Sequence, residues 1–149
     1  MAGPDLDLVR RLAAADQGLA VLATTRPDGS VHTSLVNAGV LDHPVTGAPC
    51  VGLVARGDAG KLAHLQKTGR AAVVFRAGWE WVSVEGPVEL IGPGDHHGGF
   101  APEGLPGLLR AIFSAAGGTH DDWVEYDRVM ASEGRTAVLV DPVRITGNR

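Results

Sequence analysis

Short apolar runs separated by tight-turn residues dominate this sequence. The stretch "LAVLATTRPDGSVHTSLVNAGVLD" holds two of them around Arg26-Pro27-Asp28-Gly29. Proline fixes φ at such a corner and glycine accepts positive φ, so the two runs read as a hairpin. "HPVTGAPCVGLVA" supplies a second turn at Thr46-Gly47 and a third strand. "RAAVVFRA" and "EWVSVEGPVELIG" form another antiparallel pair around Ala77-Gly78, and "RTAVLVDPVRITG" closes the chain as a strand broken by Pro142. About six strands joined by short turns, with helices attached as insertions, predict a small antiparallel β-barrel in a mainly β chain.

The helices are legible from spacing. Between Asp5 and Gln17, Leu8, Val9 and Leu12 recur at helical intervals, with Gly18 as the stop. A short helix is expected over about 59–67, ended by Gly69. After a Gly/Pro-rich loop over 93–107, Leu105, Leu108, Leu109, Ile112 and Phe113 form a helical apolar stripe. Thr119 and Asp122 suggest a capping box that opens a last helix through Ser132, with Gly134 as its stop.

A length of 149 residues suits one domain, 1–149, without linker or repeat. Hydrophobic content of 44% and charged content of 20% support a buried core rather than disorder. The net charge of −4, with both signs interspersed, argues against nucleic acid as the main partner and leaves room for a local basic site. Cys50 is the single cysteine, so no intrachain disulfide forms, and its setting in "APCVGLVA" reads as a small buried hydrophobe. The N-terminus lacks an uninterrupted apolar segment, and no stretch reaches the roughly 18 apolar residues that a membrane span needs. A soluble cytoplasmic protein with no membrane partner is expected.

One segment carries a hint of chemistry. "RGDAGKLAHLQKTGRAAVVF" leaves a strand and opens a helix on Gly57, Gly60 and Lys61. Ordinary helix starts use Ser, Thr or Asp caps and negative charge. The segment is no P-loop, because that motif needs Gly at 55 and Ser or Thr at 62, where this chain has Ala55 and Leu62. What remains is a strand end, a bend through Gly57, Ala59 and Gly60, and a helix N-terminus, flanked by Arg56 and Lys61. Backbone N–H groups in such a nest suit a phosphate. The plain alternative is a turn with a solvated lysine.

Other candidates are weaker. His96 and His97 adjoin Asp95, and His120 precedes Asp121 and Asp122, without i, i+4 ligand spacing. They read as loop residues, and no metal site is expected. No G-x-S-x-G nucleophile elbow occurs. Trp79 and Trp81 in "GWEWVSVEG" read as sharing one face of a strand. That face is either core or interface, or an aromatic wall beside a flat heterocycle.

The ordered set "LAVLATTRPDGSVHTSLV", "GLVARGDAGKLAHLQKTGRAAVVF", "GWEWVSVEGPVEL" and "HDDWVEYDRVMASEGRTAVLVDPVRITG" resembles the pyridoxamine 5'-phosphate oxidase-like split-barrel proteins. Within them it resembles the flavin/deazaflavin oxidoreductases of group B, many of which use coenzyme F-420. The similarity runs from about Leu8 to Gly147. It implies a homodimer of six-stranded antiparallel split barrels with helical insertions, and two cofactor sites at the dimer interface.

Carried over by the resemblance, Ser34, Leu35, Val36 and Asn37 would lie along the tricyclic ring. Val54, Ala55 and Arg56 would follow the linker and phosphate, and Lys61 would hold the phosphate within the nest of Gly57, Ala59 and Gly60. Trp79 and Trp81 would wall the pocket. Flavin-phosphate enzymes of the pyridoxamine oxidase type usually carry cations where this chain has Ser34, Gly39 and Gly60. The departures favour F-420 over FMN, with Arg56 standing in for the missing helix arginine. The implied activity is hydride transfer to an unsaturated small-molecule substrate, with no catalytic dyad. The alternatives are an FMN-binding reductase and a non-catalytic cofactor- or haem-binding barrel.

Overall fold

A computed structural model describes residues 3–95 and 98–148. The chain opens with α1 (Leu6–Ala15), then β1 (Leu19–Thr25), β2 (Val31–Asp42) and β3 (Pro49–Ala55). Helix α2 (Gly60–Thr68) precedes β4 (Arg70–Ala77) and β5 (Glu80–Ile91). Helices α3 (Leu105–Ala115) and α4 (Trp123–Ser132) follow, and β6 (Thr136–Val140) and β7 (Arg144–Gly147) end the fold. Asp5 caps α1 by accepting the Leu8 N–H at 3.0 Å. The helix then buries Leu8, Val9, Leu12 and Ala13 against the barrel, the stripe that its spacing predicts.

Six strands close in the order β4-β1-β2-β3-β6-β5, with β5 pairing back onto β4. All of these pairings are antiparallel. This is the expected six-stranded antiparallel barrel with helical insertions. It is split because β2 and β5, at 12 residues each, serve two sheets. Residues 31–37 of β2 pair with β1, and residues 38–42 pair with β3. Residues 80–87 of β5 pair with β4, and residues 88–91 pair with β6.

Burial along β2 alternates from Val31 to Asn37 and then breaks at Ala38 and Gly39, which are both buried. The break has a cause: a Cβ on Gly39 would lie 2.2 Å from the Ala115 carbonyl oxygen, so the end of α3 sits directly on the strand. A lysine is therefore excluded at 39.

Two cores result. Leu22, Leu53, Val73, Phe75, Val82 and Val84 fill the barrel. Ile91, Leu105, Leu108, Leu109, Ile112 and Tyr126 pack α3 and α4 onto its outside. Each such side chain contributes about 1.5–3 kcal/mol of burial free energy.

Three expectations need correction. A seventh strand exists: Pro142 does break the last segment, but residues 144–147 cross over to pair with β5. The last helix starts at Trp123 and not near Thr119. Asp122 is its cap, accepting the Glu125 N–H at 3.1 Å, while its own N–H goes to His120 Nδ1 at 3.0 Å and keeps the preceding turn out of the helix. The Gly/Pro loop is shorter than expected, because Pro106 and Gly107 already lie in α3, where a first-turn proline loses no hydrogen bond. His96 and His97 lie outside the described residues. Among the described residues, no helix is long and apolar enough to cross a membrane.

Candidate functional site

A cavity of about 470 Å³ opens where the two halves of β2 meet, beside the ends of β3 and α3. Leu35, Val36 and Asn37 line it from β2, and Val54, Ala55 and Arg56 from the end of β3. Ala59 and Lys61 enter from the start of α2. Eight residues singled out in the sequence thus surround one space. Ser34, Gly57, Gly60, Trp79 and Trp81 do not line it.

The α2 terminus is as unusual as its sequence suggests. Ala59 occupies the cap with extended backbone and no side-chain hydrogen bond, and no acid stands in the first turn. No side chain caps the first N–H groups; the Leu62 N–H turns back to the Ala59 carbonyl at 3.1 Å. The two glycines have different reasons. A Cβ on Gly60 would meet nothing within 4 Å. A Cβ on Gly57 would lie 2.7 Å from the Gly134 carbonyl oxygen, and the Gly57 N–H donates to the Glu133 carbonyl at 3.3 Å. Gly57 therefore docks the α4–β6 turn against the start of α2.

That docking delivers a residue the sequence reading missed. Arg135, directly after Gly134, lines the same cavity as Lys61. Burial, and then the positive field of Arg135, push the Lys61 ammonium below its ordinary proton affinity. Arg135 is held by Glu133 at 2.9 Å, and Arg56 by Asp58 at 3.4 Å. Lys61 forms no ion pair among the described residues. Among the described residues, no Asp or Glu lines the cavity. The signal was present in "SEGRT", a glycine stop followed at once by a cation.

The aromatic wall is also not where the tryptophans predict. Ala77 pairs with Glu80, so Gly78 and Trp79 form a two-residue turn, and Gly78 takes its positive-φ position at +62°. Trp79 is thus off the strand and 93% exposed, and Trp81 is 37% exposed. The cavity's rings are Phe113 and Tyr126, packed at a centroid distance of 5.1 Å. Trp123 and His120 back them in one cluster, which accounts for His120 without a metal. The Tyr126 hydroxyl donates to the Leu109 carbonyl at 3.2 Å, and burial raises its proton affinity. Among the described residues, no group of three or more His, Cys, Asp or Glu is placed to hold a metal ion. Buried Cys50 lies in β3, and burial followed by the fields of Glu89, Asp141 and Asp42 pushes its thiol up to about 11.

A six-stranded split barrel of this kind has counterparts among solved structures. The chain shares its fold with a pyridoxamine 5'-phosphate oxidase-related, FMN-binding protein from Nostoc punctiforme (TM-score 0.66, 13% identity, 97% of this chain and 84% of that one). The fold is the pyridoxamine 5'-phosphate oxidase-like split barrel. A conserved hypothetical protein, Rv2991, from Mycobacterium tuberculosis shares it as well (TM-score 0.69, 19% identity, 99% and 87%). So does a protein described as an F420 reductase (TM-score 0.58, 13% identity, 87% and 90%). At these identities the likeness is one of fold. No family model matches the chain, and no curated protein matches its sequence.

Proposed function

We propose that the protein is an oxidoreductase that binds a flat, anionic-tailed cofactor in this cavity, with deazaflavin coenzyme F-420 as the leading candidate. One observation carries the reading: a largely apolar, ring-lined cavity is also lined by three cations, Arg56, Lys61 and Arg135, of which Lys61 and Arg135 act on one another, and by no Asp or Glu among the described residues. Two like charges brought together in a half-buried site favour an anionic ligand, and each charge-assisted contact is worth about 1.5–3 kcal/mol. The volume lies within the range of small-molecule sites. Fold likeness to an F420 reductase and to an FMN-binding protein supports the same class of ligand.

Lys61, Arg135 and the N–H groups of Gly60 and Lys61 at the uncapped start of α2 would hold the anionic group. Leu35, Val36, Phe113 and Tyr126 would enclose the ring system and exclude water. Bound F-420 supplies a hydride carrier, so the reducing chemistry belongs to the cofactor. The protein binds, orients and desolvates. Tyr126 holds its proton in a hydrogen bond to α3, Lys61 is committed to the anionic group, and no Asp, Glu, His or Cys lines the cavity among the described residues, so the substrate's proton is assigned to solvent.

A homodimer is part of the proposal. Leu35 lines the cavity yet is 68% exposed, and it pairs directly across the sheet with Val21, itself 42% exposed. A second copy covering this face would bury the row and roof the cavity. The test is titration with F-420 and with FMN, followed by consumption of reduced F-420 with unsaturated small molecules. Binding of F-420 with turnover supports the reading. Preference for FMN transfers the site to a flavin reductase, and binding of neither overturns it.

A further inference from the structure

Beneath α2, next to the cavity, two polar atoms are buried without a hydrogen-bond partner among the described residues: His32 Nδ1 and Ser34 Oγ. They belong to side chains two apart on β2, on the same face of the strand as Val36; neither side chain lines the cavity itself, which Leu35 and Asn37 line from the other face, and the link to it is Lys61, which lines the cavity and whose charge acts on the His32 ring. Their cross-strand partners in β1 are Thr24 and Leu22. Thr24 is already engaged, with its hydroxyl 3.2 Å from His64 Nδ1. The His64 ring meets His32 edge-on at 5.3 Å, and His64 lies one turn along α2 from Lys61. Buried polar atoms are nearly always satisfied, so two orphans on one strand face mark a missing partner.

The groups around His32 say what that partner is. The charges acting on the ring are Arg26 from the β1–β2 turn and Lys61 and His64 from α2, while Thr24 faces it from β1. None of them is acidic. The ring's proton affinity is therefore lowered, by burial first and by those three groups after it. An oxyanion placed among Lys61, Ser34 and His32 reverses that field. It accepts from the serine hydroxyl and the lysine, and it favours a second ring proton on histidine.

We propose that His32 is a proton-coupled contact to the ligand's oxyanion: the filled site carries one proton more than the empty one, taken from solvent onto the His32 ring. The proposal rests on the anionic-ligand reading of the cavity and adds a regulation to it. Ligand affinity rises as pH falls through the histidine range, by up to tenfold per pH unit where the coupling is complete.

The test separates the two claims. Sulfate does not titrate in this range, so the His32 ring is followed by NMR from pH 5 to 8 with and without saturating sulfate, in the wild type and in Lys61→Ala. The expected result is an upward shift of the His32 midpoint with sulfate, lost in the variant. In parallel, F-420 affinity is measured over the same range in the wild type and in His32→Gln, where the pH dependence should flatten. A wild-type His32 midpoint indifferent to sulfate, as a bridging water would give, overturns the proposal even if F-420 binds. A sulfate-responsive His32 in a protein that binds neither F-420 nor FMN sustains the oxyanion seat and removes the cofactor reading.

Discussion

Gly57 and Gly134 meet backbone to backbone: a side chain on Gly57 would place its Cβ 2.7 Å from the Gly134 carbonyl oxygen. This contact brings the lead-in to β6 against the start of α2, and so puts Arg135 beside Lys61. Gly57→Ala should therefore lose about 1–3 kcal/mol of stability through a forced backbone shift, and weaken anion binding with it. Gly60→Ala adds a methyl to open space at a helix start and should be neutral or stabilising by up to about 1 kcal/mol. Urea denaturation of both variants checks the contrast. Equal losses would mean that the Gly57–Gly134 contact does not organise the site.

The lysine at the site should leave a signature in stability. Its folded-state proton affinity is lowered, so between that value and the unfolded-state value the unfolded chain binds more protons. Stability therefore rises with pH across this alkaline window, and below it the charged lysine is held at a cost. Ligand-free Lys61→Met should be at least as stable as wild type at pH 7, and its advantage should shrink as pH approaches about 10.5. Paired melting curves at the two ends measure this. An advantage that grows with pH would show that Lys61 gains a partner in the fold.

Cys50 should behave as a core methylene would. Its thiol is pushed up to about 11 from 9.0, so the reactive thiolate at pH 8 is about a hundredfold scarcer than for a free cysteine. Labelling by a disulfide reagent should track global unfolding in denaturant. Rapid labelling of the native protein would contradict the buried setting.

Much of the scaffold was legible because its signals are local. Turn glycines and prolines, the short apolar runs of β1 and β4, and the apolar stripes of α1 and α3 each depend on neighbours in the chain. So did the start of α2, whose missing cap is a property of residues 57–61. What escaped was set by contacts distant in sequence. Arg135 matters through the touch of Gly134 on Gly57, and Phe113 and Tyr126 become the cavity's rings because α3 and α4 fold over β2. Trp79 was misplaced by one position of hairpin register, since Gly78 and not Ala77 opens the turn. Asp122 took the cap from Thr119 through the His120 side chain.

The absence of a protein-borne proton donor can be tested on Tyr126. Its hydroxyl is committed to the Leu109 carbonyl and is raised in proton affinity by burial. Tyr126→Phe should cost about 0.5–1.5 kcal/mol of stability. Its turnover of reduced F-420 should keep the wild-type rate and pH profile. Loss of the rate with affinity intact would make the tyrosine an acid and contradict the mechanism.

The central claim is that Lys61 and Arg135 jointly receive an anionic cofactor. The most direct measurement is F-420 titration of wild type, Lys61→Ala and Arg135→Ala, read by quenching of Trp123, which packs on Tyr126 at 5.2 Å. Each variant should bind at least about tenfold more weakly, as the loss of one charge-assisted contact requires. Wild-type affinity in both variants would mean that the cations beside the cavity receive nothing.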